Sequence, residues 1–220
     1  MDPESLPLLR DEDCRGDPRV VAPRLVGAVL CSRSPDGFAA GAIVEVEAYL
    51  GGLDPASHAY RGITPRTAVM FGRPGLLYVY FTYGMHYCAN VVSGVEGQAG
   101  AVLVRALRPL AGQELMASRR PAARRKTDLT SGPAKVCQAL GIGPLHNGVD
   151  LLSGTQGVWL ARDPAATPPR LSRGPRIGIR VATEHPWRWW DATDPNVSAT
   201  RVGHPVPVGE AGTGAPGRSG

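Results

Sequence analysis

An α+β fold is expected for this chain, and three observations point to it. The strand-like runs are short and separated by turn signals, the helix-like segments are few, and no strand–helix–strand rhythm of a parallel α/β fold runs through the sequence. The 220 residues suit one domain with a substantial core. A composition of 43% hydrophobic and 20% charged residues excludes a wholly disordered chain. No apolar run approaches the roughly 18 residues of a membrane-spanning helix, and the opening Met1–Ser5 lacks the basic end and apolar stretch of a secretion signal. A soluble, cytoplasmic protein is the expectation.

The elements follow in order. Residues 1–16 are polar and Pro-interrupted and read as a poorly ordered lead-in. Val20 to Leu30 reads as a short helix running into a strand, and Ser34-Pro35-Asp36-Gly37 as the turn after it. Gly41 to Leu50 (GAIVEVEAYL) is the strongest strand signal. Tyr78–Thr82 and Tyr87–Val92 read as two arms of a hairpin with its tip near Gly84, and Gly100–Leu107 as the next strand. A helix is expected from Pro133 to Leu140, with proline at its start and Gly141 just past its end. Arg176–Val181 (RIGIRV) reads as a further strand. Residues 203–220 are Gly/Pro-rich and expected to be disordered, leaving 17–202 as the folded domain.

Four cysteines (Cys14, Cys31, Cys88, Cys137) lie far apart without a C-x-x-C pair, so free buried thiols are expected rather than a zinc site or a disulfide scaffold. His86-x-Cys88 has no second pair to complete a metal site. The net charge of +5 and a pI near 9.3 permit a polyanionic partner without requiring one. Only Lys126 and Lys135 among the 24 basic residues are lysines. The densest basic run, Arg119, Arg120, Arg124, Arg125 and Lys126, is either a phosphate-facing strip or a solvated loop.

All six tyrosines fall between Tyr49 and Tyr87. Such a cluster suits a pocket for a planar polar ligand, while each tyrosine alone also fits a strand-rich core. By strand alternation Glu45, Glu47 and Tyr49 share one face, with the carboxylates roughly 6.5–7 Å apart. Buried, that pair makes an acid/base site whose pKa values separate; exposed, it is an ordinary polar face. Tyr83, beside the hairpin tip, either packs back on its loop or protrudes into a partner.

Val44–Tyr49 (VEVEAY), His58, Thr64-Pro65-Arg66, Met70-Phe71, Leu77–Tyr80 (LYVY), Tyr83-Gly84-Met85, Asn90, Leu103–Leu107 (LVRAL) and Ser131–Leu140 (SGPAKVCQAL) resemble, in order and spacing, the alkyladenine (3-methyladenine) DNA glycosylase family. The resemblance covers roughly residues 17–200. It implies a single mixed domain around a curved antiparallel sheet with a protruding hairpin and flanking helices, and no metal or organic cofactor. It implies that Glu47 activates the attacking water, Arg105 helps hold that water, and Tyr49, His58 and Tyr80 line the base pocket. It further implies that Asn90 excludes guanine and Tyr83 wedges into the duplex.

The partner implied is double-stranded DNA carrying damaged purines, met by a monomer that is nucleoid-associated in a bacterium. Arg66 and Lys135 join the basic run as candidate phosphate contacts. Two departures stand out: Thr67 replaces an Asn common in the family, expected to loosen a turn, and the segment before Glu184–Trp190 (EHPWRWW) is shortened. Within that segment the tryptophans read as packing residues.

The residues fit such chemistry. A cationic alkylated purine gains about 0.5–2 kcal/mol from stacked tyrosines, and its charge makes it a good leaving group, so an oriented water and a carboxylate base suffice. Both lysines lie beyond Arg105, which favours hydrolysis over amine attack. Two rival classes share the pocket: a non-catalytic single-strand binding module and a hydrolase of free nucleosides.

Overall fold

A thirteen-residue strand organises the chain. The computed structural model describes residues 2–82 and 84–198, and the backbone of Val206–Pro207. The strand is β2 (Gly37–Tyr49), paired with β1 (Val29–Ser34) across the expected turn. β3 (Leu77–Thr82) and β4 (His86–Val92) form the predicted hairpin, in register from Leu77↔Val91 to Thr82↔His86, with Gly84 at φ 67 in its turn. β5 (Ala101–Ala111) lies between β4 and β2. β6 (Val158–Ala161) pairs with β1; β7 (Leu171–Gly174) pairs with β8 (Arg188–Asp191) and with the two-residue β9 (Val206–Pro207). The main path runs β3-β4-β5-β2-β8-β7-β9, every pairing antiparallel. This is the α+β architecture expected.

Among the described residues four short α-helices flank the sheet: α1 (Asp11–Cys14), α2 (Pro18–Leu25), α3 (Gln113–Arg119) and α4 (Pro133–Leu140). Asp17 caps α2 by accepting from the Arg19 N–H, with Pro18 in the first turn where its missing N–H costs nothing. α4 ends at Gly141, whose left-handed φ of 68 lets its N–H return to Cys137 and Gln138 carbonyls. Val21 and Leu25 of α2 and Val136 and Leu140 of α4 meet Ile43, Val46 and Ala48 of β2 in the main core. None of the described helices is long and apolar enough to cross a membrane.

The register of β2 against β5 slips on both sides of Glu45, leaving Val44 and Arg105 without a cross-strand partner. Such a bulge re-aims side chains beside it. It lets Ile43 and Val46, three residues apart, both enter the core, while Glu45 and Glu47 together face the other way.

Three expectations need correction. Arg176–Val181 is not a strand but part of the loop between β7 and β8: the Ile177 N–H bonds a side chain instead of a ladder, and Gly178 and Ala182 take positive φ. Alternation in RIGIRV mimicked a strand, whereas the real strands on either side of the loop, β7 and β8, are only four residues long. Residues 2–16 carry structure where a poorly ordered lead-in was expected. Leu8 bridges Ala161, Leu9 and Cys14 are buried, and the Leu9 N–H bonds the Leu160 carbonyl. Thr67 tightens its turn rather than loosening it, since its hydroxyl accepts from the Thr64 N–H at 2.9 Å and lies 3.2 Å from the Gly62 carbonyl. The expected tail, residues 203–220, lies outside the described residues apart from β9.

All four cysteines are free and buried. Burial pushes the Cys14 and Cys31 thiols up to about 12 and raises Cys88 and Cys137 as well. Since the thiolate is the reactive form, native protein at neutral pH should leave all four unmodified by a disulfide-exchange reagent, and denaturant should release four equivalents. A thiol that reacts quickly in the native protein would contradict this.

Candidate active site

The solvent-face alternative for the two glutamates does not hold: Glu45 and Glu47 are both 0% exposed. They differ in what surrounds them. Glu45 Oε1 accepts from Arg105 Nε and Arg188 Nη1, each at 3.0 Å, and Oε2 accepts from the Ser198 N–H at 2.8 Å. Glu47 Oε1 accepts from the Ile177 N–H at 2.7 Å and lies 3.2 Å from Arg105 Nη1, while Oε2 accepts from the Tyr49 hydroxyl at 2.9 Å.

Burial raises the Glu47 pKa above the usual carboxylate value, and the nearby Arg105 charge offsets only part of that. Arg105 divides one charge between two carboxylates. Burial works against Arg105 too, but the flanking carboxylates carry its pKa upward. One arginine thus holds two acids in unequal environments, the asymmetry that acid/base chemistry uses.

Tyr49, Arg105 and Ile177, the three groups on Glu47, all line a cavity of about 380 Å³. His58, Tyr80 and Asn90 line it too, so the structure brings together every residue expected in the base pocket. Tyr80 projects from β3 and meets the His58 ring edge-on at 4.3 Å, and His58 Nδ1 lies 3.2 Å from the Tyr78 hydroxyl. Burial, aided by Arg66, lowers the His58 pKa to about 4, so its imidazole is neutral at physiological pH. Asn90 faces Tyr78 across the β3–β4 ladder and donates from Nδ2 to the Tyr78 carbonyl at 3.0 Å, which fixes its amide.

Gly51 turns the chain after Tyr49 at φ 58, where a Cβ would overlap the Ala99 carbonyl. That turn leads to Asp54, which binds the buried Arg176. Tyr83 lies outside the described residues.

The candidate phosphate contacts separate. Arg66, at the hairpin, donates to the Phe81 carbonyl at 3.4 Å with its guanidinium 5.7 Å from the Tyr80 ring centre. Lys135 donates to Ser131 at 3.2 Å, two residues beyond Pro133 of the cavity wall. Arg119 bonds the Ala139 carbonyl, Ser34 and Asp36, and Arg120 bonds Gln138. Both therefore tie α3 to the end of α4. Arg124, Arg125 and Lys126 line a second cavity, of about 640 Å³, that shares no lining residue with the first.

Sequence reasoning missed Tyr78, Asp54, Arg176, Arg188 and the Ile177 N–H. Arg176 sat inside a false strand, and a backbone donor leaves no mark in a sequence. Trp189 is core packing, as read, while Trp187 lies against the Arg176 guanidinium. Among the described residues no group of three or more His, Cys, Asp or Glu could hold a metal ion.

Comparison with known proteins adds an independent line. The family model described as methylpurine-DNA glycosylase matches residues 12–195. A protein of Burkholderia lata is 55% identical over 169 residues, covering 77% of this chain and 80% of its own length. Proteins of Chlorobaculum parvum and Streptomyces avermitilis are 48% and 46% identical, each covering 84% of this chain and 88% of their own. All three names carry the words 3-methyladenine DNA glycosylase.

Proposed function

The chain belongs to the methylpurine-DNA glycosylase family, and from that premise we propose that it flips an alkylated or deaminated purine from duplex DNA and hydrolyses its N-glycosidic bond with a water activated by Glu47. The observation that carries this reading is the ionisable Glu47 carboxyl, buried directly behind three groups of an aromatic-lined cavity. Of the roughly four lone-pair sites on a carboxylate, Ile177, Arg105 and Tyr49 occupy three, leaving one on Oε2 for a water.

The step balances simply. The C1′–N bond breaks with its electron pair leaving on the base, the water oxygen bonds C1′, and its proton passes to Glu47. An abasic site remains, with no strand cleavage. Arg105 orients the water and stabilises the carboxylate. Tyr49 and Tyr80 stack on the extruded base, neutral His58 hydrogen-bonds its edge, and Tyr83 fills the vacated stack. Arg66 and Lys135, near the cavity, are the better-placed phosphate contacts; Arg124, Arg125 and Lys126 reach DNA only if the duplex extends over the second cavity.

The test incubates purified protein with labelled duplexes carrying 3-methyladenine, hypoxanthine or ethenoadenine, followed by alkali. Strand breaks that appear only after alkali are expected. Binding without breaks would favour the single-strand module, and base release from free nucleosides would favour the nucleoside hydrolase.

Selectivity is a second expected outcome. Guanine differs from hypoxanthine by its 2-amino group, and the Asn90 amide, held by the Tyr78 carbonyl, cannot swing aside to admit it. Asn90→Ser should raise guanine release from undamaged DNA by about one to two orders of magnitude while changing hypoxanthine release much less. Equal losses on both bases, with a lowered melting temperature, would reduce Asn90 to a backbone tie.

A further inference from the structure

Arg176 begins the loop that forms one wall of the cavity. Its side chain and that of Asp54 are both fully buried, joined by bonds of 2.5 and 2.8 Å, and Nη1 also donates to the Ala48 carbonyl at 3.0 Å. The guanidinium lies 4.6 Å from the centre of the Tyr49 ring and 4.9 Å from that of Trp187. One residue further on, the Ile177 N–H reaches Glu47. A single side chain therefore ties the loop to β2, backs the Tyr49 ring and fixes the peptide that touches Glu47. Burying an ion pair is a poor route to stability alone, since packed apolar residues of similar volume often serve as well.

We propose that Arg176, locked on Asp54, is a positioning residue for base excision: it holds the Tyr49 ring for stacking and delivers the Ile177 N–H to Glu47. The inference rests on Glu47 being the base. Effective catalysis depends on near-attack geometry, and a displacement of about 1 Å can cost about 100-fold in rate. The planar fork matters here, because a lysine ammonium cannot bridge both Asp54 oxygens and the Ala48 carbonyl in one plane.

The position also leaves a signature in pH. Glu47 is faced by Arg105 from β5, Glu45 and Tyr49 from β2, Arg188 from β8, Tyr80 and Cys88 from β3 and β4, and the Ile177 N–H from the loop. Of these, Arg176 sets the Ile177 N–H and the Tyr49 hydroxyl. Both donate to Glu47 and hold its pKa down against burial. Loosening them raises it further, so the acid limb of the rate profile moves to higher pH.

The experiment measures single-turnover excision of hypoxanthine from duplex DNA across pH for Arg176→Gln, Arg176→Lys and Asp54→Asn, with melting curves and Glu47→Gln in parallel. Arg176→Gln should lose about 100-fold in rate, with its acid limb shifted upward, and Arg176→Lys should recover part of both. If Arg176→Gln does not fold, Asp54→Asn, which keeps the arginine and the volume, gives the same readout. Rate loss with an unmoved acid limb, or wild-type rates in the folded variants, would overturn the proposal. Full activity of Glu47→Gln would instead overturn the assignment of the base.

Discussion

Glu47→Gln is expected to lower the excision rate by about 10²–10⁴ while lesion-duplex binding survives. The amide matches the carboxylate in shape, so its oxygen still accepts from Ile177 and Arg105, and its nitrogen can donate to the Tyr49 oxygen. Only proton acceptance from water is lost. In the wild type the acid limb of the rate profile should lie above the ordinary carboxylate range, because burial raises the Glu47 pKa. The stability consequence has the opposite sign to the usual carboxylate case. A folded pKa above the unfolded value means the native state binds the proton more tightly, so stability falls as pH rises through that window. Glu47→Gln should therefore melt no lower than wild type at neutral pH, the trade expected where an active site keeps a costly group. A variant that excises near the wild-type rate beside an inactive Glu45→Gln would reverse the two roles.

Much of the site was legible because alternation is a strong constraint. VEVEAY puts Glu45, Glu47 and Tyr49 on one face, and the tyrosine cluster and hairpin fall where a cavity wall forms. The bulge at Val44 and Arg105 was not legible, since nothing in residue type distinguishes an unmatched residue from a matched one. Nor were the partners on the far side of the chain. Arg176, Arg188 and Ser198 come from beyond residue 170 to contacts made by residues 45–54, and long-range pairing leaves no periodic trace. Part of the basic run has partners that were hidden for a related reason. Arg119 and Arg120 look like free charges until the end of α4 and the β1–β2 turn arrive beside them.

Glu45→Ala should destabilise the protein strongly where Glu47→Gln leaves it intact. Glu45 is the anion between Arg105 and Arg188, whose side chains are 7% and 2% exposed, and it also accepts the Ser198 N–H. Removing it takes a carboxylate partner from two buried guanidiniums and strands a backbone donor. Breaking a buried ion pair from one side costs about 3–5 kcal/mol, a large part of the roughly 5–15 kcal/mol that holds a domain together. For a domain of this size that corresponds to a fall of about 10 °C or more in melting temperature. Glu45→Gln should lie between, because an amide oxygen in the Oε1 position still accepts from both arginines, without the charge, while its nitrogen faces the Ser198 N–H donor to donor. Its activity should drop as well, since the contact that aims Arg105 at Glu47 loses its negative charge. Melting curves and excision rates for both variants decide the matter. A Glu45→Ala protein that melts within a degree or two of wild type would show that the arginines find other partners, and that Glu45 does not anchor the site.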